Sequence, residues 1–284
     1  MKLRHAIPYI IMIAAAVVVL VAYQMWKLTV TDNDAPTFIV SEEILEISVS
    51  DETEAFLQGI TATDDRDGDV TSSIVVEKIS SINENHEVMV TYAAFDQAGN
   101  VAKQRRTVRY SDYESPRFSL NNPLLFLYGR DVNIEDNVNA FDLIDGDISH
   151  KIKPTLVSQV PLSTEGIHQM LFRITNTLGD TVELQLPVEI YPTGKYNATM
   201  TLTEYLIYLP RGGAFDAYDY LNAFRYSDNN VTLRNNIPEG VDIAIEGQVN
   251  SSVPGVYPIT YTITYESGFT TFSAISKLIV VVEG

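Results

Sequence analysis

The feature that most constrains this chain is an internal repeat. Ala62–Ile74 reads ATDDRDGDVTSSI and Phe141–Ile152 reads FDLIDGDISHKI, so a D-G-D-aliphatic-hydroxyl core occurs twice. The two cores begin at Asp67 and Asp145, roughly 80 residues apart, which is the length of a small all-β domain. Two proline-bearing stretches recur on nearly the same spacing: DNDAPTF at Asp32–Phe38 and SDYESPRF at Ser111–Phe118. Proline fixes φ and holds its predecessor extended, as a short joint between units requires. A repeat of this length predicts small domains in series, not one large fold.

The ends of the units repeat as well. HEVMVTYAAFDQAGNVAKQRRTVRY aligns with GIHQMLFRITNTLGDTVELQLPVEI, pairing Tyr92 with Phe172 and Gly99 with Gly179. In GVYPITYTITYESGFTTFSAISKLIVVV, Tyr261 and Gly268 take those places. The alternation of Val88, Val90, Tyr92 and Ala94 has period two, the mark of a strand with one buried face. AGN, LGD and SGF supply glycine for a tight hairpin turn. With a weaker third joint at Ile190–Met200, the domains are expected at 35–112, 113–192 and 193–284. Within the third, Met200–Gly212 reads as one early strand and DAYDYLNAFRY as a short helical turn.

The first thirty residues are of a different character. Lys2 and Arg4 lie in a short tail, 1–6, and residues 7–26 then carry no charged side chain. A run of about twenty apolar residues can cross a bilayer, and Tyr9, Tyr23 and Trp26 sit near its ends, where interfacial aromatics collect. Basic residues ahead of the span predict a cytoplasmic tail, a transmembrane anchor and, beyond a linker at 27–34, an external C-terminal region. A cleaved signal peptide is the rival, although no small-x-small cleavage site follows the run.

Composition narrows the chemistry. A net charge of −18 opposes binding to a phosphate backbone, so nucleic acid is excluded as a partner. Without cysteine there are no disulfides and no thiolate zinc sites, and the four histidines, His5, His86, His150 and His168, are scattered. His86 and His168 read as ordinary surface or edge residues. The aspartates fail as an EF-hand: a loop starting at Asp65 would need glycine at Val70 and glutamate at Val75. Asp64, Asp65, Asp67 and Asp69, with their counterparts Asp145 and Asp147, remain candidate ligands of a looser calcium site, since carboxylates suit a hard cation. The alternative is that Asp67 and Gly68 make a turn while Asp69 accepts backbone hydrogen bonds with help from Thr71. A catalytic carboxylate pair would need a sugar-sized cleft, which one local loop does not supply, and no nucleophile, zincin or phosphate-loop motif occurs. The expectation is a chain that is not an enzyme and has no resident cofactor beyond the calcium candidate.

With these motifs in place, the units resemble the bacterial immunoglobulin-like repeats of surface proteins, including modules in pesticidal crystal proteins. The pattern is an aspartate-rich DGDIT turn followed by G-x-Y-x-V-x-Y-x-x-x-D-x-x-G-N. The first unit matches with Asp67, Gly68, Asp69, Val70, Thr71, Tyr92, Asp96, Gly99 and Asn100. The second keeps Asp145, Gly146, Asp147, Ile148 and Ser149 but has Asn176 and Asp180 where the first has Asp96 and Asn100. The third departs most, with SDNNVT at Ser227–Thr232 in place of RDGDVT. The resemblance covers the chain after the apolar segment and implies an all-β fold of tandem immunoglobulin-like β-sandwiches, which would stand behind the single N-terminal transmembrane helix expected from the apolar run. It also implies bacterial cell-surface adhesion, spacing or presentation. Two alternatives stand beside that: a carbohydrate-binding module using tyrosine-rich unit three, with a protein or polysaccharide ligand there, and an accessory subunit of a cell-envelope complex.

Overall fold

The computed structural model describes residues 7–30, 32–234 and 237–284. The expected tail, 1–6, and Thr31 of the linker lie outside the described residues. Among the described residues, an apolar helix is followed by six β-sheets, which pair into tandem immunoglobulin-like sandwiches. The helix, α1 (Ile7–Val30), continues past Trp26, and from Tyr9 to Lys27 none of it is buried. It is long and apolar enough to cross a membrane.

The strands of the first sandwich are β1 (Thr37–Val40), β2 (Ile44–Ile47), β3 (Ile60–Asp64), β4 (Gly68–Asp69), β5 (Val75–Ile79), β6 (Glu87–Phe95) and β7 (Val101–Tyr110). One sheet has the order β1-β3-β4 and the other β2-β7-β6-β5. The chain starts in one sheet, crosses at Ser41–Glu43, and continues in the other with β2 parallel to β7. Arg106 holds that crossing. Its side chain is buried, and its guanidinium donates to the Glu42 carbonyl at 2.9 Å and the Gln58 carbonyl at 2.5 Å. Period two places Val88, Val90, Tyr92 and Ala94 inward, none more than 1% exposed.

The second sandwich repeats the plan with β8 (Arg117–Leu120), β9 (Leu125–Leu127), β10 (Val138–Asp142), β11 (Gly146–Asp147), β12 (Lys153–Leu156), β13 (Gly166–Thr175) and β14 (Thr181–Tyr191). Its sheets are β11-β10-β8 and β12-β13-β14-β9, and β9 runs parallel to β14. The third uses β15 (Thr199–Leu202), β16 (Leu206–Leu209), β17 (Leu221–Tyr226), β18 (Asn229–Thr232), β19 (Val241–Glu246), β20 (Gly255–Ser267) and β21 (Thr270–Val282). Met200–Gly212 is therefore two strands in different sheets, not one, because the chain crosses between them as in the other sandwiches. The helical turn is confined to a 3-10 turn, Ala217–Tyr220, and the rest of that segment is β17.

The chain forms two compact units, Met1–Tyr113 and Glu114–Gly284. Within the second unit the two sandwiches pack together: Leu206 and Ile279 of the third join the apolar core of the second. The Phe118 amide donates to the Tyr208 hydroxyl at 3.0 Å, and Arg117 pairs with Glu283 at 2.8 Å. Lys277 and Glu189 form an ion pair whose side chains are only 7% and 17% exposed. His168 is not at the surface. It lies 2% exposed in β13, its ring nitrogens 3.3 Å from the Val160 carbonyl and 2.9 Å from the Thr164 carbonyl, because the loop after β12 folds over it.

Candidate functional site

Both D-G-D segments are turns. Gly68 and Gly146 have φ of +73° and +72°, a left-handed conformation that glycine adopts without strain. Asp69 Oδ1 accepts from the Thr71 amide at 2.9 Å, and Asp147 Oδ1 from the Ser149 amide at 2.9 Å. The Thr71 hydroxyl accepts from the Ala62 amide at 3.1 Å, and the Ser149 hydroxyl from the Ala140 amide at 3.0 Å. Asp67 and Asp145 reach across to the β6–β7 and β13–β14 hairpins, where the amides of Gln97 (2.7 Å) and Thr177 (2.8 Å) donate to them. Asp145 also pairs with Lys151 at 2.8 Å. Asp67, Asp69, Asp145 and Asp147 each face their own turn and hairpin partners, and they do not gather into a common ligand set.

A different set converges. Asp64, at the end of β3, meets Asp32 of the connector before β1 and Asp96 at the start of the β6–β7 hairpin. One carboxylate oxygen from each lies within 4.8 Å of the others. Asp32 is shared with a second, outer group that it forms with the exposed Asp34 and Asp65. Of the residues singled out in the sequence as metal ligands, the fold thus places Asp64 and Asp65 in carboxylate clusters. The partners missed were Asp32 and Asp96. Both sit in motifs the sequence displays, DNDAP and FDQAGN, but their proximity to Asp64 is set by the sheet pairing.

Asp64 is 8% exposed. Its Oδ1 accepts from the amides of Arg66 (2.9 Å) and Asp67 (3.0 Å), while its Oδ2 is buried with no hydrogen-bond partner. Asp96 Oδ1 accepts from the Asn100 amide at 2.7 Å and Oδ2 from the Asn100 side chain at 2.7 Å. Burial pushes the Asp96 carboxyl up, but the Asn100 side chain and the backbone amides of Asn100, Gly99 and Ala98 together outweigh it and hold it below the ordinary carboxylate range. The side-chain Nδ2 of Asn100 also donates toward the Asp34 carbonyl at 3.0 Å and that of Asp32 at 3.4 Å. Arg66, on the outer side, approaches Asp32 at 3.9 Å.

The same corner is built differently in each sandwich. In the second, Asn176 stands where Asp96 does, and its amide donates at 3.0 Å to Asp142 Oδ2, the counterpart of the unpartnered Asp64 oxygen. In the third, strand register matches Phe224 to Ala62 and Ala140, because Met200 pairs with it as Phe38 and Phe118 do with those alanines. Tyr226 therefore occupies the Asp64 position, and Tyr265 that of Asp96. Their rings pack with centroids 4.9 Å apart. The corner is a carboxylate cluster, a carboxylate–amide pair and an aromatic pair in turn.

A cleft of about 370 Å³ on the second sandwich is lined by Glu135, Ser149 and His150, among others. The Ser149 hydroxyl there is already committed, donating to Asp147 at 2.6 Å. Most third-sandwich aromatics, including Tyr205, Tyr220, Tyr226, Tyr257, Tyr265, Phe215 and Phe272, pack against its core, and Tyr218 and Phe269 are left exposed.

No family model matches the chain. It is 27% identical over 183 residues to an uncharacterized 81.3 kDa protein of Acholeplasma phage L2, a match covering 63% of this chain and 22% of that protein. The chain thus spans under a quarter of the length of that relative. Among solved structures it is similar to Drosophila N-cadherin EC1-3, with 13% identity, 89% and 90% of the two chains covered and a TM-score of 0.28. A Clostridium perfringens ZmpB structure, comprising CBM51-2 in complex with GlcNAc and INT domains, matches with 12% identity, 87% and 41% covered and a TM-score of 0.23.

Proposed function

We propose that this chain is a non-enzymatic, single-pass membrane protein whose immunoglobulin-like sandwiches stand outside the cell as a spacer or presenting module. The observation that carries the reading is α1. The 19-residue stretch Tyr9–Lys27 is uncovered by the rest of the chain and exposes apolar surface of the length a bilayer core would cover. Lys2 and Arg4 on one side favour a cytoplasmic N-terminus. Serial sandwiches suit spacing and adhesion. The resemblance of the repeats to bacterial surface modules supports a bacterial cell-surface setting. A protein or polysaccharide ligand on the third sandwich would find exposed rings at Tyr218 and at Phe269 in the β20–β21 turn, since most of the others are packed inward.

Protease treatment of intact cells making the full chain, followed by carbonate extraction, tests the reading. It expects digestion of the sandwiches from outside and an N-terminal fragment that stays with the membrane. A chain protected until the cells are broken, or one released by carbonate, would overturn it.

A further inference from the structure

The corner formed by Asp32, Asp64 and Asp96 leaves one buried carboxylate oxygen without a donor. Asp64 Oδ2 is buried and receives no hydrogen bond. Leaving a buried carboxylate oxygen unpaired is costly, and two further carboxylates alongside add like-charge repulsion. The nearest amide is already overcommitted: the two N–H groups of Asn100 Nδ2 face three acceptors, Asp96 Oδ2 and the carbonyls of Asp34 and Asp32. Arg66 pairs with Asp32 at 3.9 Å and does not supply a hydrogen bond to Asp64 Oδ2.

The rest of the chain shows how the corner closes without a cation. In the second sandwich one amide, Asn176, replaces the Asp96 carboxylate and donates to the matching oxygen of Asp142. In the third, two tyrosine rings replace both acids. The first sandwich alone keeps its acids and recruits another from the connector. Every donor there is oxygen, the set a hard divalent cation takes; with the three oxygens within 4.8 Å of one another, a central ion lies at most about 2.8 Å from each, so movements of a few tenths of an ångström give calcium–oxygen distances of about 2.4 Å.

We propose that Asp32, Asp64 and Asp96 bind one calcium ion, which completes the coordination of Asp64 Oδ2 and ties the connector after α1 to the β3 end and the β6–β7 hairpin. The ligands come from three separate segments with no common framework, an irregular set that suits calcium better than the strict octahedron of magnesium. The site stands on its own geometry, whether or not α1 crosses a membrane.

The test is equilibrium dialysis of the full chain, in detergent micelles and stripped with chelator, against radioactive calcium. The wild type is expected to bind one ion saturably. Asp96→Asn, which copies the second sandwich, is expected to keep its far-UV circular dichroism and weaken binding about tenfold or more. Asp32→Asn does the same from a connector position outside the sandwich core, so the test survives if the first variant fails to fold. Asp69→Asn, at the turn, is expected to bind as the wild type does. No saturable calcium in the wild type, undiminished binding in both Asp96→Asn and Asp32→Asn, or displacement by magnesium at equal concentration would each overturn the assignment.

Discussion

Asp145 is pushed up by its burial, yet hydrogen bonds from Lys151 and from the Thr177 side chain and amide outweigh that and hold its carboxyl below the ordinary 3.8. The Ser149 side chain and amide lower Asp147, and the Thr71 side chain and amide lower Asp69. A carboxylate depressed in the folded state contributes stability above its unfolded pKa and loses it as pH falls through the folded value. The turns are therefore expected to hold from neutral pH down to about 4 and to loosen only in stronger acid. Carboxyl 13C NMR of Asp145 checks this, and a midpoint at or above 3.8 would sink the prediction. The turn role of these aspartates was open to a sequence reading, because the side chain, the glycine and the hydroxyl act within a few residues. The Asp64 corner was not, since Asp32, Asp64 and Asp96 lie on three segments that only the folded sheets bring together.

Tyr92 in β6 and Tyr261 in β20 do the same job for their sandwiches. Each is fully buried and donates at 2.8 Å to a carbonyl of the 3-10 turn opposite, Phe56 in Thr53–Leu57 and Ala217 in Ala217–Tyr220. Burial pushes both hydroxyls up, so they remain donors at neutral pH. Phe172 fills the equivalent place in the second sandwich without a hydroxyl, so shape alone is met there. Tyr92→Phe is expected to cost about 1–2 kcal/mol locally by leaving the Phe56 carbonyl unpaired. Hydrogen-exchange mass spectrometry of the full chain reads this as roughly tenfold faster exchange around Thr53–Leu57. Unchanged exchange there would show that the bond contributes nothing. Period-two patterning made β6, β13 and β20 legible, because alternation is a property of consecutive residues. It did not reveal that the chain crosses between sheets at Ser41–Glu43 or after Leu202. Both halves of each crossing are apolar, and the staple at the first, Arg106, is distant in sequence.

At the scale of the whole chain, the second unit is two sandwiches sharing an apolar seam, with Lys277 and Glu189 paired inside it. Removing one partner of a buried ion pair leaves the other charge stranded, at about 3 kcal/mol or more. Lys277→Met is thus expected to speed exchange in both β13–β14 and β20–β21. A change confined to the third sandwich would mean the seam does not couple them. The sequence by itself determined that the chain is serial β-domains behind an apolar segment, where the hairpins turn, and which face of each long strand is inward. Those outcomes rest on repeat spacing, glycine geometry and two-residue periodicity, all carried by neighbours in the chain. Only the tertiary structure decided which carboxylates share a corner, that an amide or a tyrosine pair replaces them in the later copies, and that two of the sandwiches pack as one unit. These depend on contacts between residues far apart in sequence, which strand pairing creates and no local pattern records.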